Sequence, residues 1–134
     1  MHMDGILNLD KPAGISSARA VDQVKRLLPR KTKIGHAGTL DPFATGVLVL
    51  LIGKGTKLCE RLMDQPKQYV ATIKFGATTA TDDPESAEEP YISKTLGRDA
   101  QATKAEIEAA LSRFVGAIQQ RPPAFSAMIT HESP

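Results

Sequence analysis

Asp41 is the side chain in this sequence whose surroundings best suit covalent or acid–base chemistry. It lies within Gly35-His36-Ala37-Gly38-Thr39-Leu40-Asp41-Pro42-Phe43-Ala44-Thr45-Gly46, which feeds directly into an apolar run. The glycines let the backbone approach a bulky ligand and adopt dihedrals closed to other residues. Pro42 restrains Asp41 to an extended conformation, so the carboxylate is held at a strand entrance. A carboxylate held in this way can attack an electrophilic carbon or act as a general base. An Asp before Pro in a glycine-rich loop is nevertheless more often turn chemistry or a helix cap, and spacing alone leaves the choice open. His36 has the same two readings, as a hydrogen-bonded loop residue or as a participating group. Tyr69, on an alternating segment, reads as core or as a stacking platform.

Other chemistry finds less support. His2, His36 and His131 have none of the short spacings that build zinc sites, so any chemistry here is expected to be metal-free. Cys59 is the single cysteine and reads as a buried, inert thiol. Gly53-Lys54-Gly55-Thr56 suggests a nucleotide-phosphate binder. It lacks the four-residue gap of a P-loop, and Gly55 stands where Ser or Thr should follow the lysine.

The elements that must position these groups follow from periodicity. Gly5 to Asp10 reads as a short strand, and Lys11 to Gly14 as a turn. A helix capped by Ser16 or Ser17 should follow, with Val21, Val24, Leu27 and Leu28 on one face and Pro29 limiting its end. Residues 31–42 form a loop. Val47 to Ile52 is unbroken branched aliphatic sequence, which predicts a strand covered on both faces at the centre of a sheet. A second helix is expected from about Thr56, with Leu58, Leu62 and Met63 inward. Period-two alternation from Lys67 to Gly76 predicts a half-buried strand carrying Tyr69. Ala77 to Arg98 reads as a long loop or irregular hairpin. Thr103 and Glu106 form a capping box for a third helix, with Ile107, Ala110, Leu111 and Phe114 on one face. These elements make the class α+β, a mixed, largely antiparallel sheet with flanking helices.

At 134 residues and 41% hydrophobic content the chain can build one modest core. Its longest apolar run is too short for a membrane span, and Asp4 and Asp10 interrupt any signal-like start, so a soluble, cytoplasmic protein is expected. The net charge of +2 is unevenly spread. Between Lys11 and Lys67 eleven Lys and Arg face four Asp and Glu, whereas residues 82–89 carry five acids and no base. A basic region of this kind suits a phosphate backbone, although a solvated helix face accounts for it equally well.

The segment Gly35 to Leu48 resembles the signature loop of the tRNA pseudouridine synthase B family. Gly5-Ile6-Leu7-Asn8-Leu9-Asp10-Lys11-Pro12-Ala13-Gly14 resembles that family's first motif, Gly53 to Lys57 its post-strand turn, and Lys67 to Val70 the stretch bearing its active-site tyrosine. Gly76 to Asp83 and Gln120 to Ala127 match later segments, so the likeness covers nearly all of Gly5 to Met128. It implies a pseudouridine-synthase-like fold and isomerisation of the T-loop uridine of tRNA to pseudouridine without a cofactor, with the tRNA T-arm as partner. Asp41 takes the catalytic position, Tyr69 would stack on the flipped base, and His36 would sit against the nucleotides it leaves. Lys11, Arg19, Lys31 and Lys33 are candidates for phosphate contacts. The likeness fades after Met128. Residues 1–134 are therefore expected to be the N-terminal part of a catalytic domain, lacking the arginine that pairs with the catalytic aspartate and a C-terminal RNA-binding domain. Little activity is expected of such a truncated chain, and the rival reading is a catalytically silent tRNA-binding fragment.

Overall fold

Strand β3 (Gly46–Ile52) has neighbours on both sides and organises the first half of the chain. In the computed structural model, which describes residues 3–91 and 102–120, β1 (Gly5–Lys11) runs antiparallel to β3 from Gly5↔Ile52 to Lys11↔Gly46. Strand β2 (Ile34–His36) pairs with the other edge, from Ile34↔Ile52 to His36↔Leu50. The sheet order is β1-β3-β2. Branched aliphatics favour this central place because their side chains pack well on a pleated surface.

Helix α1 (Ser17–Lys25) covers one face. Ser16 is its cap, with a side chain that accepts the Arg19 N–H at 3.2 Å. Ala20 packs against Leu48 and Leu50, and Leu9, Ile15, Val21, Val24, Ile34 and Leu40 close around them. Leu27 departs from its expected face and is 84% exposed, because the helix ends at Lys25 and the periodicity beyond it has no helix to act on.

Double-sided burial of β3 holds only for part of the strand. Leu48, Leu50, Leu51 and Ile52 are buried, whereas Val47 is exposed and Val49 half-buried. Residues opposite one another in an antiparallel pair share a face, so Val47 and Val49 stand with exposed Asp10 and Asn8, away from α1. After β3 the chain makes a 3-10 turn over Gly53–Leu58, and only then α2 (Cys59–Met63). Leu62 is half-buried there, but Leu58 and Met63 are exposed, contrary to the inward face expected of them.

The chain divides into two compact units, residues 1–69 and 70–134. The strand expected from Lys67 to Gly76 does not form: Tyr69, Val70, Ile73 and Phe75 are all exposed, and no ladder among the described residues pairs with them. Alternation selects the face a strand would bury, but a strand also needs a neighbour to take its N–H and C=O groups. In the second unit β4 (Ala77–Thr79) and β5 (Glu88–Pro90) form an antiparallel hairpin, as the irregular 77–98 region allowed. Asp83 Oδ1 organises its tip by accepting from Thr81 Oγ1 at 2.7 Å and from the Glu85 N–H at 2.9 Å. Helix α3 (Lys104–Leu111) begins with the full Thr103/Glu106 capping box, but of its apolar face only Ile107 is half-buried. The family-like segment at 121–127 lies outside the described residues.

Burial separates two leucines that periodicity treats alike. Leu50→Ala, at a fully buried position, should lower unfolding free energy by about 2–5 kcal/mol in urea titration. Leu27→Ala should change it by less than about 0.5 kcal/mol.

Candidate active site

Residues 37–45 leave β2 and turn back into β3, and four hydrogen bonds fasten this loop to residues 11–17, from the end of β1 to the start of α1. The Ser17 hydroxyl donates to the Leu40 carbonyl at 3.0 Å, and the Leu40 N–H donates back to Ser17 Oγ at 2.9 Å. Beyond Asp41, the Pro42 carbonyl accepts the Gly14 N–H at 2.8 Å and Lys11 Nζ at 3.3 Å. Both chain neighbours of Asp41 are therefore tied at the backbone, each by two bonds, while Asp41 itself is exposed. The Asp41 carbonyl accepts the Ala44 N–H at 3.1 Å, which closes the turn that follows.

Lys11 explains how the two segments stay together. It is the last residue of β1 and fully buried. Its ammonium donates to the carbonyls of Pro12 at 2.9 Å, Ile15 at 2.8 Å and Pro42. An ammonium has three N–H donors, and here each finds an acceptor, the condition under which burying such a group is tolerable. Lys11 is thus a clamp inside the fold and not one of the phosphate contacts expected from the sequence. Arg19, Lys31 and Lys33 are exposed and keep that possibility. Gly14 delivers its N–H from a backbone at φ 84°, a conformation that suits glycine and strains other residues.

His36 ends β2 and is half-buried. Its Nδ1 donates to the Gly38 carbonyl. Since a carbonyl can only accept, Nδ1 carries the proton of this bond. His36 thus stands at the strand end from which the Asp41 loop departs. Tyr69 does not share this loop: the residue is 67% exposed on the unpaired stretch after Lys67. Cys59 is half-buried, with its thiol 3.6 Å from the His36 carbonyl and 3.7 Å from Met63 Sδ, the surroundings of a packing residue.

The glycines at 53 and 55 serve close packing. A Cβ on Gly55 would lie 2.3 Å from the Gly5 carbonyl oxygen, and one on Gly53 2.0 Å from Asp4 Oδ1. The Gly53 N–H donates to the Lys33 carbonyl at 2.7 Å and the Lys54 N–H to Asp4 Oδ1 at 2.7 Å. N–H groups already engaged in this way cannot cradle a phosphate, so the nucleotide-binding reading falls. Among the described residues, no three His, Cys, Asp or Glu side chains are grouped to hold a metal ion, and no helix is long and apolar enough to cross a membrane.

A family model described as TruB family pseudouridylate synthase (N terminal domain) matches residues 25–133, a span that takes in the whole Asp41 loop and most of the chain. The chain belongs to the TruB family. Similar proteins include the tRNA pseudouridine synthase B of Thiobacillus denitrificans, 47% identical over 126 residues that make up 94% of this chain and 40% of that protein. Those of Cupriavidus metallidurans and Burkholderia lata are 46% and 47% identical, over 92% and 94% of this chain and 37% of each relative. This TruB-family chain therefore spans about 40% of the length of the curated relatives it matches. Membership also accords with the α+β class and the antiparallel sheets.

Sequence reading missed Lys11 and Ser17 as parts of the site. Two consecutive serines before a helix were a usable signal, because a helix needs only one cap. In this TruB-family chain Lys11→Met should cost about 2–4 kcal/mol of stability by thermal or urea denaturation, because it removes three hydrogen bonds made by a buried ammonium.

Proposed function

We propose that this protein is, or is the N-terminal part of, a tRNA pseudouridine synthase that isomerises the T-loop uridine. The observation that carries this reading is the exposed Asp41 carboxylate between two clamped peptides, in the loop by which the chain resembles its family. In this reaction the N1–C1′ bond breaks, the uracil turns, and C5 bonds to C1′ while its proton is lost and N1 gains one. A carboxylate fixed beside the sugar can attack C1′ to form an ester. Alternatively it can take a proton from C2′ to give a glycal. Either route requires the detached base to stay trapped.

A T-loop uridine is reached only by flipping it out of the stack, which costs a few kcal/mol. An exposed Tyr69 ring supports a stacking role on the flipped base. His36, oriented through Gly38, supports a role against the nucleotides left behind. The exposed bases Arg19, Lys31 and Lys33 suit the phosphates of the T-arm. By family likeness, an arginine from the portion that only the longer relatives contain would pair with Asp41 and help orient it.

Incubating a T-arm stem-loop with the chain and mapping pseudouridine by carbodiimide chemistry tests the reading. Whatever product the wild type makes, Asp41→Asn should make none while RNA binding is retained. Equal product from both would overturn the role of Asp41, and binding without product from the wild type would favour a silent RNA-binding fragment. Tyr69→Ala should weaken productive binding by about 1–3 kcal/mol, read from the RNA concentration dependence of the rate.

A further inference from the structure

We propose that Ser17 is a positioning residue for Asp41, acting through the backbone of Leu40; this rests on the reading of Asp41 as the reactive group. Ser17 is the first residue of α1, but the helix does not need its hydroxyl, because the Ser16 side chain already serves as cap. At that position alanine would be the better helix former. Ser17 is nonetheless only 3% exposed, so its hydroxyl is withdrawn from water and must be satisfied inside the protein. Both of its bonds go to one residue: it donates to the Leu40 carbonyl and accepts from the Leu40 N–H. A hydroxyl suits this task because it is donor and acceptor at a single atom.

Leu40 precedes Asp41 and packs against the Ala20, Leu48 and Leu50 cluster. Its side chain is therefore held by the core and its peptide by Ser17. On the other side Pro42 is held by Gly14 and Lys11. With both anchors the Asp41 Cα has a fixed position and its side chain a fixed direction of departure. With the Ser17 anchor gone, the loop keeps Pro42 as a pivot and the carboxylate can swing about it. A displacement of the order of 1 Å at a reacting group can cost about a hundredfold in rate.

Wild type, Ser17→Ala and Ser17→Thr are compared as the full chain. In Ser17→Ala the Leu40 amide should exchange with solvent about tenfold faster, while those of Leu48 and Leu50 in β3 keep their protection. Single-turnover isomerisation of a saturating T-arm stem-loop should fall about tenfold to a hundredfold, with RNA affinity held within about twofold. Ser17→Thr, which keeps the hydroxyl, should restore both. Unchanged Leu40 exchange in Ser17→Ala overturns the proposal. So does a loss of rate matched by equal loss of RNA affinity or of β3 protection, because that pattern marks a merely structural role. Failure of the Asp41 reading looks different: Asp41→Asn keeps making product, or the wild type makes none, while Leu40 exchange still responds to Ser17. In either case the exchange result alone decides whether the tether exists.

Discussion

One buried ammonium and one buried hydroxyl hold together the end of the sheet where Asp41 sits. Lys11 reaches back from the last position of β1 to the carbonyls of Pro12, Ile15 and Pro42. Ser17 reaches across from the start of α1 to both polar groups of the Leu40 peptide. Neither side chain touches water appreciably, so both sets of bonds compete with no solvent and would be costly to leave unmade. The β1–α1 connection and the β2–β3 connection are separate in sequence, and these contacts make them one rigid rim.

The rim resolves a conflict between two demands. The carboxylate proposed to react has to be open to its substrate, and openness ordinarily goes with mobility. Here the exposed residue is left free while the residues before and after it are pinned, so order reaches Asp41 through the main chain. The sheet contributes in the same way. β3 is anchored on both edges, and Leu48 and Leu50 lock it to α1, so the loop feeding into it begins from a fixed strand. Catalytic groups set on elements of this kind hold their geometry better than groups on free loops. His36 obeys the same logic at the other end of the loop, where the Gly38 carbonyl accepts from Nδ1 and fixes the ring.

Much of this was legible in the chain itself. The strand over 5–10, the Ser-capped helix, the central aliphatic strand and the Thr103/Glu106 capping box each carry their signal within a few residues, and each formed nearly where expected. Elements that depend on distant partners were less readable. The three-residue β2 carries no periodicity of its own and exists because Ile52, Leu51 and Leu50 lie alongside it. The 67–76 segment alternates well but found no strand to accept its hydrogen bonds among the described residues, and Tyr69 was left exposed there.

The sequence by itself determined the α+β class and the family, and singled out the residues proposed to carry the chemistry, because these reside in residue types and short spacings that survive without knowing the fold. Only the tertiary structure decided what Lys11 and Ser17 do. A lysine after a strand and a serine before a helix look like surface groups in sequence, and charge counting placed the lysine among the phosphate contacts. Which polar atoms become buried, and which carbonyls then lie within 3.3 Å of them, depends on two connections meeting in space. Those distances are set by the packing of α1 on the sheet, and no local pattern encodes them.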